Sequence, residues 1–150
     1  MRPGSAGWRQ IRVMRLKNIP GGATRDNLRA VLLASEVVDH AAMPEAGYTA
    51  DVFAIIVSDD AMVAPGQPRS IHQNDRAYID PKIEPKPGDI VVAMPTVNSD
   101  EYIVRELGEA PFDPQHKLVN LIPYNKPRYV ERLVPADQVL GVVISIERKI

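Results

Sequence analysis

Residues 52–62 read Val-Phe-Ala-Ile-Ile-Val-Ser-Asp-Asp-Ala-Met, an uninterrupted apolar run that passes into an acidic turn. A continuous apolar run of this length is typical of a short strand that is buried on both faces. The segment therefore predicts a strand over residues 52–58, with Asp59 and Asp60 in the turn that follows it. Such a strand needs neighbours on both edges, and these are expected elsewhere in the chain.

Further strands are indicated by short β-branched runs that fourteen prolines and nine glycines separate. The predicted strands are residues 11–19, 76–80, 90–94, 101–107, 117–122 and 139–146. The composition of Lys86-Pro87-Gly88-Asp89 is that of a tight turn before the strand at 90–94. We expect a mainly β fold of short, mostly antiparallel strands, with one or two short helices.

One helix is predicted, over residues 26–38, because Leu28, Val31 and Leu32 recur at helical spacing. Asp26 or Thr24 would cap it. A helix-turn-helix needs two or three adjoining helices, so we expect no DNA-binding domain in this chain. Residues 1–10 lack periodicity and are expected to form a linker or arm, which leaves residues 11–150 as a single domain.

Composition excludes several classes of site. The 150 residues carry a formal net charge of −1, so no strong attraction to nucleic acid is expected from this chain. Cysteine is absent, which excludes disulfides, a thiol nucleophile and a thiolate metal site. No apolar run approaches the roughly 18 residues that cross a bilayer. We expect a cytoplasmic protein with no cofactor and no metal.

Six segments, in order and at suitable spacing, resemble the C-terminal domain of LexA and phage CI-type repressors, the S24 peptidase-like family. These segments are residues 53–62, 74–81, 84–93, 101–107, 121–125 and 139–144. Residues 84–93, Glu-Pro-Lys-Pro-Gly-Asp-Ile-Val-Val-Ala, are very similar to the Pro-Gly-Asp-Ile-Val-Val-Ala of that family. The resemblance implies a LexA/signal-peptidase-like coiled β-fold for residues 11–150.

In that family a serine activated by a neutral lysine cleaves an Ala-Gly bond of its own chain. The resemblance places Ala61 at the nucleophile position and Arg105 at the general-base position. It places the former cleavage region at Gly21 and Gly22, with Gly22 lying 39 residues before Ala61. A methyl group cannot attack a carbonyl, and an arginine with a pKa above about 12 cannot act as a neutral base. No catalytic residue is therefore expected to be intact.

Each of these residues also has a plainer interpretation. Arg105 is either a surface arginine or, if it occupies the former lysine position, a partner of Asp59 or Asp60. Asp51, Asp59 and Asp60 are expected to form a solvated turn rather than a metal site. We expect Ser58 to be a structural hydroxyl.

The histidines and two aromatic residues are also expected to have structural roles. Surface positions are predicted for the three histidines, His40, His72 and His116. Trp8 and Phe112 are expected to anchor loops or an interface.

The resemblance implies a dimerisation or oligomerisation domain of a phage-type transcriptional repressor that maintains lysogeny and has lost autoproteolysis. Such a domain holds helix-turn-helix domains, absent from this chain, together on operator DNA. An antirepressor protein is then the expected route of release. Residues 139–146 and 118–129 are the predicted self-association surfaces. Two alternatives stay open: a self-cleaving Ser/Lys autopeptidase captured as a Ser→Ala variant, and a UmuD-like polymerase partner subunit.

Overall fold

The computed structural model describes residues 8–44, 52–94, 102–109 and 118–148. The strands are β1 Trp8–Arg15, β2 Asp39–Pro44, β3 Phe53–Ile56, β4 Arg76–Asp80, β5 Ile90–Ala93, β6 Ile103–Glu109, β7 Leu118–Ile122, β8 Arg132–Pro135 and β9 Val139–Glu147. The helix α1 spans Leu28–Leu33, and short 3-10 helices cover Leu16–Asn18 and Ala136–Gln138. Within the described ranges no helix is long and apolar enough to cross a membrane.

The strands form one sheet in the order β2-β1-β3-β4-β9-β5-β6-β7-β8. Only β1 and β3 pair in parallel, with Val13 opposite Ala54, and the other ladders in the described part of the chain are antiparallel. The last strand, β9, lies at the centre between β4 and β5. The predicted mainly β, mostly antiparallel fold is confirmed.

The strand predicted at residues 52–58 is observed as β3, and it is buried on both faces as expected. Phe53 and Ile55 face the largest apolar core, which α1 covers with Leu28 and Leu32. Ala54, between them, packs on the opposite face of the sheet in a smaller cluster with Ile11 and Val13. Alternating side chains that are buried on both faces produce the continuous apolar run seen in the sequence.

The first strand and the sheet edges differ from the prediction. The strand expected from Ile11 begins at Trp8, so the last three residues of the expected arm pair with β2. Strands β2 and β8 were not predicted. Both are outermost in the sheet, and in β8 only Val134 is buried. An edge strand buries few side chains, so its sequence shows no clear alternation.

The helix α1 covers Leu28–Leu33, which is shorter than the predicted residues 26–38. A turn precedes it, and the hydroxyl group of Ser35 bonds to the backbone at its C-terminal end. The backbone N–H of Thr24 donates to Oδ1 of Asn27, and the N–H of Asn27 donates to Oγ1 of Thr24, which holds this segment as a turn. Asn27, not Asp26, is the N-cap residue. At the other end the Ser35 hydroxyl donates to the carbonyl of Val31 at 2.7 Å. Side-chain bonds of this kind compete with helix propagation.

Gly141, on β9, lies close to the side chain of Ile79 on the neighbouring strand β4. We predict that Gly141→Ala destabilises the protein. A methyl group at this position would lie 2.5 Å from Cγ2 of Ile79, which is fully buried, and 3.4 Å from the backbone Cα of Pro81. Overpacking of this kind costs about 2 kcal/mol of unfolding free energy, measurable by urea denaturation.

Gly108→Ala is the matched control. There the added methyl would meet Cδ1 of Ile122 at 2.6 Å, the far end of a half-buried side chain that can rotate away. We expect a loss below about 1 kcal/mol. Equal losses for the two variants would contradict this account of Gly141.

Candidate functional site

Ala61 is fully buried in the turn that follows β3. Its backbone N–H donates to Oδ1 of Asp59 at 3.1 Å, and the N–H of Val63 donates to the carbonyl of Asp60 at 3.2 Å. An aspartate that accepts the N–H two residues later stabilises a tight turn. The Asp59 side chain therefore fixes the backbone at the predicted nucleophile position.

The loop after β7 holds the same turn from the other side. The backbone N–H groups of Tyr124 and Asn125 donate to the carbonyl of Ala61 at 2.9 and 2.8 Å. The Asn125 side chain donates to the carbonyl of Asp60 at 3.2 Å. The Leu-Ile-Pro-Tyr-Asn motif thus positions the turn, mainly through its main chain, which sequence reasoning did not foresee.

Arg105, on β6, is buried and pairs with Asp59. Its Nη1 lies 3.3 Å from Oδ2 of Asp59, and it also donates to the carbonyl of Val104 at 2.8 Å. The expected Asp59–Arg105 pairing is confirmed, and the surface interpretation of Arg105 is wrong. Burial lowers the pKa of the Arg105 guanidinium while the Asp59 charge opposes the change. An arginine nevertheless stays protonated in proteins.

Asp60 is held by a second set of donors that the sequence analysis missed. The Tyr129 hydroxyl donates to its Oδ1 at 2.6 Å, and Arg128 donates to its Oδ2 at 2.7 Å. The Tyr129 bond, with the Arg128 charge, lowers the pKa of Asp60 although burial opposes this. The Tyr129 ring also lies 5.2 Å from the guanidinium carbon of Arg105. Asp59 and Asp60 thus lie in a turn that is in contact with solvent, as expected, with side chains 30% and 33% exposed, but both carboxylates are ion-paired.

The segment that contains Gly21 and Gly22 is anchored at Tyr102, which precedes β6. The Tyr102 hydroxyl donates to the carbonyl of Pro20 and accepts the N–H of Ala23, the latter at 3.1 Å. Tyr102 faces the large core, whereas Ile103 and Leu107 face the second core. Arg105 lies two residues from both Ile103 and Leu107, so it shares their face of the strand, opposite to Tyr102. The structure brings Ala61 and Arg105 together through Asp59 and anchors the Gly21–Gly22 segment on the other side of β6.

The remaining candidates have structural positions. His40 and His72 are exposed as predicted, and Ser58 is exposed, with its carbonyl accepting a bond from Gln73. Among the described residues no group of three or more His, Cys, Asp or Glu side chains could hold a metal ion. The predictions for Asp51, Phe112, His116 and the Trp8 side chain lie outside the described residues.

The charged groups around position 61 are engaged with one another in the structure. Position 61 offers a methyl group, and position 105 offers a charged guanidinium that already holds a carboxylate at 3.3 Å. A general base must present a free lone pair to the proton that it removes. The described groups satisfy each other instead.

Comparison with known proteins assigns the sequence to a family. A family model described as Peptidase S24-like matches residues 29–144, a range that contains Ala61 and Arg105 and begins after Gly22. No curated protein matches the chain.

We predict that the Asp59–Arg105 pair is strongly coupled. Asp59→Ala leaves a buried guanidinium without its anion, which we expect to cost about 3 kcal/mol of unfolding free energy in urea denaturation. The double variant Asp59→Ala/Arg105→Met removes both charges and is expected to recover part of that loss. A double-mutant cycle should give a coupling energy above about 1.5 kcal/mol. Additive losses would show that the two residues do not interact.

Proposed function

Because the chain belongs to the Peptidase S24-like family, we propose that it is the oligomerisation domain of a phage-type transcriptional repressor that has lost autoproteolysis. Its role is to join helix-turn-helix domains on operator DNA in a bacterial cytoplasm. Joining two weak DNA-binding modules raises their effective concentration without adding any base contact.

Loss of cleavage is supported by three features that agree with each other. Ala61 has no nucleophile, Arg105 is a cation tied to Asp59, and the segment with Gly21 and Gly22 is anchored at Tyr102. A single Ser→Ala change would account for the first feature alone. A repressor of this kind is not induced by self-cleavage, so its release from DNA needs a separate event, such as binding of an antirepressor protein.

The proposed association role is supported mainly by one edge of the central strand, β9, which is only partly paired among the described residues. β9 pairs with β5 only as far as Val142, but with β4 as far as Glu147. Within the described ranges, no strand pairs with the β5 side of β9 from Val143 onwards. This side faces a groove of about 510 Å³ that is lined by residues 143–146, 88–90 and 68–70 and by Arg148. Arg148, beyond this segment, holds Asp75 through two bonds of 2.7 and 2.8 Å.

An exposed strand edge is a template for a further strand. A second copy that offers the same edge in antiparallel orientation would give a self-complementary two-fold interface. We therefore propose residues 143–146, the second half of the surface predicted at 139–146, as the association surface, because the first half is buried between β4 and β5.

Of the second predicted surface, residues 118–129, the proposal keeps one part. Its later part, around Asn125 and Tyr129, is occupied with Ala61 and Asp60. The outer face of β7 and β8 remains, where Leu118 and Leu133 are 40% and 62% exposed. This face is the candidate for contacts between dimers.

We predict a concentration-dependent dimer in analytical ultracentrifugation, with Ser145 near its two-fold axis. Ser145 lies in the middle of the open segment and is half-buried. Ser145→Lys and Ser145→Glu would each place like charges opposite one another and weaken the dimer by about tenfold or more. An equal mixture of the two variants should restore it.

Ser145→Ala is the uncharged control and should leave the association unchanged. A strict monomer at every concentration would overturn the association role. Dimers that are insensitive to both charged variants would place the interface elsewhere.

We predict that Ala61→Ser alone does not produce self-cleavage, even at alkaline pH. Its serine would lie beside a guanidinium that cannot accept a proton. Ala61→Ser/Arg105→Lys is the informative partner variant, since it restores both reactive groups. Mass spectrometry would locate any cut. Cleavage between Gly21 and Gly22 in the single variant would contradict the loss of the base and favour an active autopeptidase.

A further inference from the structure

A small polar cavity of about 90 Å³ lies where the parallel strands β1 and β3 end. Arg15 and Ile56, the last partners of that ladder, both line it. The other lining residues are Lys17, residues 57–58 and residues 73–74. Pockets for drug-sized ligands measure roughly 300–1,000 Å³, so a cavity of this size suits one small group rather than a large molecule.

Two cations line this cavity without a counterion. Arg15 is exposed at the end of β1, and Lys17 is exposed in the 3-10 helix that follows. Among the described residues neither is in an ion pair, and no carboxylate lines the cavity. The nearest carboxylates along the chain, those of Asp59 and Asp75, are each held by another arginine. The cavity is therefore a place of local positive potential.

The remaining wall of the cavity carries neutral polar groups on a backbone that hydrogen bonds hold in place. The N–H of Asn74 donates to the carbonyl of Val57 at 2.8 Å, and the Gln73 side chain donates to the carbonyl of Ser58 at 3.1 Å. Asn74 has a φ of 74°, a left-handed conformation that glycine adopts more readily. Asparagine at this position adds an amide, and Ser58 adds a hydroxyl, both of which can donate to an oxyanion.

We propose that this cavity binds a doubly charged phosphate group, either inorganic phosphate or the monoester of a small molecule. A monoester carries a charge of about −1.5 to −2 near pH 7 and has three acceptor oxygens, which matches two cations and neighbouring neutral donors. A carboxylate carries a single charge and would neutralise only one of the two cations. The guanidinium of Arg15 suits bidentate contact with phosphate, and Lys17 supplies a point charge.

The proposal goes beyond the repressor role and is independent of it. It uses neither the Asp59–Arg105 pair nor the β5 side of β9, so either proposal can fail without the other.

The test is a titration of the isotope-labelled full chain, followed by NMR in a buffer without phosphate. Inorganic phosphate and phenyl phosphate are added in separate experiments, and the one that binds more tightly identifies the source of the group. We expect saturable shifts of the backbone amide signals, concentrated at Lys17, Ser58 and Asn74. Dimethyl phosphate carries one charge only and should bind at least about tenfold more weakly.

Lys17→Gln and Arg15→Gln each remove one exposed cation, and we expect each to weaken phosphate binding by about tenfold. Lys17→Arg keeps the charge and should retain most of the affinity. Lys86→Gln is the matched control, because Lys86 is exposed in the turn before β5 and does not line the cavity. Circular dichroism melts would verify that all these variants fold.

Asn74→Gly tests the neutral wall separately from the charges. Glycine accepts the left-handed backbone without strain, so the variant should fold, but it lacks the amide. We expect phosphate binding to weaken by about threefold, as for the loss of one hydrogen bond.

Three outcomes would overturn the proposal. One is a set of shifts that does not saturate or that spreads over cations outside the cavity. Another is phosphate binding that both Lys17→Gln and Arg15→Gln leave unchanged. The third is binding of dimethyl phosphate as tight as that of the two dianions, or tighter binding of duplex DNA, since either would make the cavity a contact for a nucleic-acid backbone.

Discussion

The turn after β3 depends on one carboxylate that serves two buried partners. Asp59 accepts the N–H of Ala61 at 3.1 Å and lies 3.3 Å from a guanidinium nitrogen of Arg105. Desolvating two charges costs several kcal/mol, which their attraction repays only with good geometry and further hydrogen bonds. The bond from Arg105 to the Val104 carbonyl and the stacking on Tyr129 supply these further contacts. Such a pair determines how the turn is arranged more than it adds to stability.

The Asp59–Arg105 pair also limits the chemistry that is available to Arg105. In a dyad of serine and lysine, the base works because burial favours its neutral form. Here burial acts on a guanidinium, and Asp59 opposes its effect. An arginine at position 105 stays protonated and forms an ion pair with Asp59, so it cannot act as a neutral base. The neighbouring Asp60, Tyr129 and Arg128 network extends this arrangement to the loop before β8.

Much of the fold was predictable, because a strand that is buried on both faces consists mainly of apolar residues. Strands β3 and β5 are continuous apolar runs, and β9 is apolar or glycine over residues 139–144, since the central part of the sheet is covered on both faces. β2 and β8 were missed because an outer strand buries little, and α1 was overestimated because Ser35 bonds to the carbonyl of Val31. The partner of Arg105 is 46 residues away in the chain, and it was expected, as Asp59 or Asp60, only through the family resemblance.

The sequence alone determined the family resemblance, the mainly β fold and the missing hydroxyl at Ala61. These depend on residue identity and on short-range patterns of apolar side chains. Only the tertiary structure decided that Asp59 also accepts the N–H of Ala61, and that the segment with Gly21 and Gly22 is held at Tyr102. It also decided that β9 lies in the centre, with no strand of the described ranges paired to its β5 side beyond Val142. Each of these depends on strand order, which brings together residues that are distant along the chain, and no local pattern encodes that order.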